Sequence, residues 1–157
     1  MTRVLFVCLG NICRSPTAHA VFEHMVQQRG LSSQIMVDSA GTGDWHIGHS
    51  PDKRATATAK TRGIDMTHLR ARQFTRDDFA RFDYVLAMDN SNLKDMLALE
   101  PAGHTATVRL FLEFATRFTE REVPDPYYGG DEGFEYVFDL VEDASLGLIR
   151  HIQETSS

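Results

Sequence analysis

The chain has 157 residues, 42% of them apolar and 24% charged, with a formal net charge of −6. That is the length of one domain, spanning residues 1–157, and enough to bury a core. The longest apolar runs fall far short of the roughly 18 residues that a membrane helix needs. The N-terminal run Val4-Leu5-Phe6-Val7 is too short for a signal-peptide core, so a cytoplasmic protein without a membrane partner is expected. Lysines and arginines are scattered apart from a modest cluster at His68 to Arg72, which argues against nucleic acid as a partner. The two cysteines, Cys8 and Cys13, are too few for a disulfide scaffold and make half a zinc site at most. His46 and His49 have no acidic or cysteine ligand set beside them, so neither a metal nor another cofactor is expected.

Arg3 to Val7 is a short continuous apolar run that suits a buried parallel strand. From Pro16 the period changes: Ala18, Val21, Phe22, Met25 and Val26 recur at helical spacing, and Gly30 stands where a helix ends. Ile35, Val37 and Ser39 alternate as a second strand would. Asp52 to Arg62 reads as a helix opened by Ser50-Pro51 and closed by Gly63. A short element starts at Thr75-Arg76-Asp77-Asp78 and ends near Phe82, and Tyr84 to Ala87 reads as a third strand. A helix over Leu93 to Leu99 stops before Pro101, and Thr107 to Phe111 is the candidate fourth strand. After the turn-rich Val123-Pro124-Asp125-Pro126-Tyr127-Tyr128-Gly129-Gly130, a last helix runs from about Asp131 to Gln153. Strands alternating with helices imply right-handed crossovers and a four-stranded parallel sheet covered on both faces, an α/β three-layer sandwich of Rossmann-like kind. Ligands bind such sheets at the carboxyl ends of the strands, where Cys8 ends the first strand.

The segment Cys8-Leu9-Gly10-Asn11-Ile12-Cys13-Arg14-Ser15-Pro16 joins that strand to the first helix. Gly10 and Asn11 tolerate positive φ, so the backbone can curl and turn its amides inward as an anion nest. The helix start adds its positive dipole end, and Arg14 offers a planar fork to two phosphate oxygens. Cys8 sits at the mouth of this cradle, and the same field favours its thiolate. Ser15 has two open roles, an N-cap beside Pro16 or a hydroxyl that donates to the Cys8 sulfur. A phosphate-binding loop carrying a cysteine nucleophile is the reading that joins these features. Departure of a poor leaving group also needs a proton, which a carboxyl in a loop after the last strand could supply.

The run Val7 to Ala18 resembles the phosphate loop of low-molecular-weight protein tyrosine phosphatases. The resemblance covers nearly the whole chain, including Asp38-Ser39-Ala40-Gly41-Thr42, Asp44-Trp45, Ser50-Pro51-Asp52, His68 with Ala71-Arg72-Gln73-Phe74, Met88-Asp89 with Ser91-Asn92, and Val123 to Tyr128. It implies the four-stranded sheet, a phosphocysteine intermediate and no metal. By position in the family motif Asp125 is the general acid beside Cys8 and Arg14. Leu9, Gly10, Asn11, Ile12, Cys13 and Ser15 bind substrate, with Trp45, Tyr127 and Tyr128 on an aromatic rim. Asn11, Ser39 and His68 match positions that form a hydrogen-bonded support behind the loop. Cys13 either guards Cys8 as a reversible disulfide, as the family often shows, or packs under the loop.

The implied activity is hydrolysis of phosphotyrosine and aryl phosphates on a phosphotyrosine protein substrate, by a monomer or weakly self-associating enzyme. Two alternatives share the fold type: an arsenate reductase, which needs further cysteines that do not follow Cys13, and a phosphocarrier, for which Arg14 and a water-activating Asp125 would be counterproductive. Related phosphoarginine phosphatases carry Thr where this chain has Ile12, which favours phosphotyrosine here.

Overall fold

A computed structural model describes residues 1–126 and 131–156. Four strands, β1 (Thr2–Cys8), β2 (Ile35–Gly41), β3 (Tyr84–Ala87) and β4 (Thr107–Leu110), form one all-parallel sheet in the order β2-β1-β3-β4. The helices are α1 (Arg14–Gln28), α2 (Lys53–Thr61), α3 (Asp78–Arg81), α4 (Asn90–Leu97) and α5 (Asp131–Ser156), with a 3-10 turn over Phe111–Phe114 after β4. The expected α/β sandwich with both sheet faces covered is what the chain forms.

The cause is legible along β1. Val4, Leu5, Phe6 and Val7 are all fully buried, because a strand's side chains alternate between faces and both faces here carry a layer. Val4 and Phe6 join the core with Phe22 of α1, Ala55 of α2 and Phe138 of α5. Leu5 and Val7 join the opposite core with Phe74, Phe79 of α3 and Met96 of α4. Register sets Val4 against Val37 on one side and against Tyr84 on the other. The chain winds from β1 outward to β2, then returns across the sheet to β3. The crevice at the carboxyl ends of β1 and β3 lies where that winding reverses, which is the ligand position of open parallel sheets.

Several element ends differ from the sequence reading, and three have a plain local cause. Helix α1 starts at Arg14 rather than Pro16, since a proline in the first turn removes an N–H that has no partner within the helix. Helix α4 starts at Asn90 rather than Leu93, because Asp89 caps it by accepting from the N–H of Asn92 at 2.8 Å. The fourth strand ends at Leu110, one residue early, where the 3-10 turn begins. Gly30 takes φ +69° just beyond α1, the left-handed conformation that closes a helix. No helix of the described residues is long and apolar enough to cross a membrane.

Candidate active site

The Cys8–Ser15 loop curls over the end of β2. Gly41, paired with Cys8 across the sheet, must be glycine: a Cβ there would lie 2.8 Å from the Leu9 carbonyl oxygen and 3.0 Å from the Asn11 nitrogen. Thr42 N–H donates to the Cys8 carbonyl at 2.9 Å and Gly43 N–H to that of Leu9 at 2.8 Å, which moulds the loop onto the sheet edge. Within it Asn11 is the one non-glycine residue of the described chain with positive φ, at 56°. Gly10 has no positive φ. His46 packs on it instead, and a Cβ there would lie 2.9 Å from the ring, which would have to shift.

These contacts converge on one sulfur. Cys8 Sγ lies 2.9 Å from Ser15 Oγ and accepts from the Asn11 N–H at 3.2 Å. Asn11 Nδ2 donates to Ser15 Oγ at 2.8 Å. The N-cap position falls on Cys13, with no side-chain cap, so the Ser15 hydroxyl points to the sulfur and is not a cap. Cys13 is buried and both cysteines are free thiols. Burial first, then the neighbouring Cys8 and the carboxylates of Asp52 and Asp125, push the Cys13 thiol's pKa far up, so it stays protonated.

Arg14 is buried at the base of the cleft. Its Nη1 donates to Asp89 Oδ2 at 2.6 Å and to the Val123 carbonyl at 3.0 Å. Both protons of that nitrogen are thus engaged, leaving Nη2 and Nε of the fork for oxygens of a bound oxyanion. Burial disfavours the guanidinium charge, but Asp89, Cys8 and Asp125 outweigh it and raise the Arg14 pKa. Asp89, which the sequence reading did not place in the site, therefore does two jobs at the end of β3: it caps α4 and aims Arg14. Its signal was the capping pattern Asp89-Asn90-Ser91-Asn92. Val123 N–H donates to the Met88 carbonyl at 2.8 Å, which brings the chain after β4 back over β3. Asp125 follows, with Oδ2 3.9 Å from Arg14 Nη2. The cleft so formed is walled by the loop from Cys8 to Arg14 with Trp45, His46 and Asp125 around it. Leu9 and Trp45 are exposed at its mouth.

The support behind the loop differs from the expected one. Ser39 pairs opposite Phe6, two residues back from Gly41, so its hydroxyl meets His19 Nδ1 at 3.0 Å rather than Asn11. His68 is exposed and lies 4.0 Å from Glu23 Oε1, while His19 Nε2 lies 3.6 Å from the same carboxylate. The residues Ser39, His19, Glu23 and His68 thus form a line down α1, and His19 is the main reason that the Glu23 pKa is lowered. The acceptor of Asn11 is satisfied instead by the backbone N–H of Arg72 at 3.0 Å. His46 and His49 stand with ring centroids 5.6 Å apart, and among the described residues no group of three metal-ligating side chains occurs. Tyr127 and Tyr128 lie outside the described residues.

A parallel sheet that gathers a cysteine, a buried arginine and an aspartate around one cleft at its switch point fits one class, the cysteine-based phosphatases. The family model of the low molecular weight phosphotyrosine protein phosphatases matches residues 3–157. A phosphatase of this name from Schizosaccharomyces pombe is 46% identical over 151 residues, 96% of each chain. Among solved structures, a protein tyrosine phosphatase from Entamoeba histolytica, with Hepes in the active site, superposes with a TM-score of 0.95 at 40% identity over 100% of both chains. A Drosophila arginine phosphatase superposes with a TM-score of 0.87 at 34% identity, over 97% of this chain and 98% of that one. The chain belongs to the low molecular weight phosphotyrosine protein phosphatase family.

Proposed function

We propose that Cys8, Arg14 and Asp125 hydrolyse phosphotyrosine in proteins through a phosphocysteine intermediate. The observation that carries this reading is the pair of hydrogen-bond partners on Cys8 Sγ, within a cleft that also holds a buried Arg14 and Asp125. The Cys8 thiolate attacks phosphorus in line. The bond to the phenol oxygen breaks while the Asp125 proton moves to that oxygen. Water then attacks phosphorus, its proton returns to Asp125, and the S–P bond breaks to release phosphate. Arg14 and the loop amides hold the equatorial oxygens through both steps.

Leu9, Ile12 and Trp45 give the cleft apolar walls suited to an aryl ring. The Drosophila neighbour's name shows that the scaffold alone does not choose between phosphotyrosine and phosphoarginine; Ile12 in the loop favours the former. The chemistry needs Cys8 as a free thiol, so a reducing cytoplasmic setting belongs to the same reading. A single domain acting as a monomer suffices, because each of these three residues comes from one chain.

The test sets phosphotyrosine, phosphoserine and phosphoarginine peptides side by side, with EDTA present and vanadate as competitor. Phosphotyrosine should turn over fastest, vanadate should compete, and Cys8→Ser should remove turnover. Wild-type rates in Cys8→Ser, or loss of activity in EDTA, would end the proposal.

A further inference from the structure

Arg72 lies 61 positions from Asn11 in sequence, yet its backbone N–H donates to Asn11 Oδ1 at 3.0 Å. A main-chain N–H can only donate, whereas a side-chain amide and a hydroxyl can each act in either sense. The consequence runs along the chain of contacts. With Arg72 fixed as donor, the Asn11 atom facing it is the oxygen. The atom facing Ser15 must then be the NH2, which donates to Ser15 Oγ at 2.8 Å. Ser15 therefore accepts from Asn11, and its own proton is left for Cys8 Sγ at 2.9 Å or the Ala40 carbonyl at 3.3 Å, of which the sulfur is the nearer. If the Asn11 amide turned over, its oxygen would draw the Ser15 proton away from the sulfur.

The position of that N–H is held from three directions. Gly41 N–H donates to the Arg72 carbonyl at 2.9 Å, and Phe74 N–H to the Gly41 carbonyl at 2.7 Å, so the segment docks as a short parallel extension of β2. The Arg72 guanidinium is gripped by Asp78, with Nη1 and Nη2 at 3.1 and 3.0 Å from its two oxygens, and by Asp38 at 3.0 Å from Nε. Asp78 is fully buried. A bidentate pair on a buried carboxylate fixes orientation as well as distance.

We propose that Arg72 is a positioning residue for the phosphatase reaction: its backbone N–H sets the direction of the hydrogen-bond chain Asn11–Ser15–Cys8 so that a proton faces the sulfur, and the Asp38–Asp78 clamp holds that N–H in place. Arg72 is not among the residues that line the cleft. Its effect is to favour the charged form of the nucleophile through two intervening side chains. The inference rests on the reading of Cys8 as nucleophile, and its test is read on the cysteine itself.

The experiment measures the rate of iodoacetamide alkylation of Cys8 at neutral and at alkaline pH, because the thiolate is the reactive form. Asp78→Asn, which keeps the shape of the clamp, should slow alkylation at neutral pH about tenfold and leave the alkaline rate near that of wild type. Its kcat should fall with KM little changed. Arg72→Lys keeps the charge but not the fork, and should give a smaller slowing of the same kind. It also serves should Asp78→Asn fail to fold. The control is Arg62→Gln, which cuts a comparable ion cluster joining α2 to Glu135, Asp139 and Glu142 of α5. It should lower the melting temperature without changing the ratio of neutral to alkaline alkylation. A folded Asp78→Asn protein with the wild-type ratio, or an equal change in Arg62→Gln, would overturn the proposal. A wild-type protein without phosphotyrosine turnover would instead remove the functional reading, while the alkylation ratio still reports on Arg72.

Discussion

At the scale of single residues, the site divides its tasks by burial. Cys8, Arg14 and Ser15 are buried and held from several sides, whereas the Asp125 side chain is 44% exposed and approaches from a loop. Such a carboxyl can reach a departing phenol and then a water without rearrangement of the cradle. Its contribution depends on how much the leaving oxygen needs a proton. Asp125→Ala should slow phenyl phosphate by about 100-fold or more, within the usual range for a lost general acid. p-Nitrophenyl phosphate, whose leaving group departs readily as the anion, should slow much less. Steady-state kcat on the two esters makes the comparison, and equal slowing would take Asp125 out of the acid role. Asp89 belongs at this scale too: one carboxylate oxygen caps a helix and the other aims Arg14.

At the scale of elements, the C-terminal helix does more than cover the sheet. Asp143 of α5 accepts from the N–H groups of Thr116, Arg117 and Phe118 at 2.9–3.3 Å, anchoring the chain that leads from β4 toward Asp125. Burial works against its charge, but those donors prevail and its pKa is lowered. One turn on, Gly147 lets the helix lie directly on the end of the 3-10 turn. A Cβ there would sit 1.8 Å from the Phe114 carbonyl oxygen. Backbone cannot yield as a flexible side chain can, so Gly147→Ala should destabilise by about 3 kcal/mol, at the upper end for overpacking. Denaturant unfolding checks this, and a change below about 1 kcal/mol would show that the helix can shift freely.

These elements also show what the sequence could and could not disclose. The two central strands were readable because buried parallel strands are short unbroken apolar runs, as in Val4 to Val7 and Tyr84 to Ala87, and β2 by its alternation. The loop was readable because its residues are contiguous. The misplaced support was not, because it depends on register. Ser39 and Asn11 can meet only if the strand ends where the hydroxyl is level with the loop, and pairing puts Gly41 there instead. Likewise the partner of Asn11 is a backbone N–H, which every residue but proline has and which therefore leaves no mark in the sequence.

At the scale of the whole molecule, binding a phosphate-like anion should tie together three parts of the chain: the Cys8 loop, the end of β3 at Asp89, and the segment from Val123 to Asp125. A ligand that binds only the folded form stabilises it by mass action. At about 100 times its Kd the gain is about 2.7 kcal/mol, which for a domain of this size raises Tm by about 5–10 °C. Calorimetry with vanadate should show such a rise in wild type and little of it in Arg14→Gln. An unchanged wild-type Tm at saturating vanadate would contradict the anion cradle.

The contact between Arg14 and the Val123 carbonyl spans 109 positions. During synthesis at about 5–20 residues per second, the cysteine loop emerges from the ribosome roughly 5–20 s before the acceptor that holds its arginine. A nascent or truncated chain that stops short of Val123 has the sulfur but neither the anchored guanidinium nor Asp125. Enzymatic activity is therefore a report that translation has passed that point.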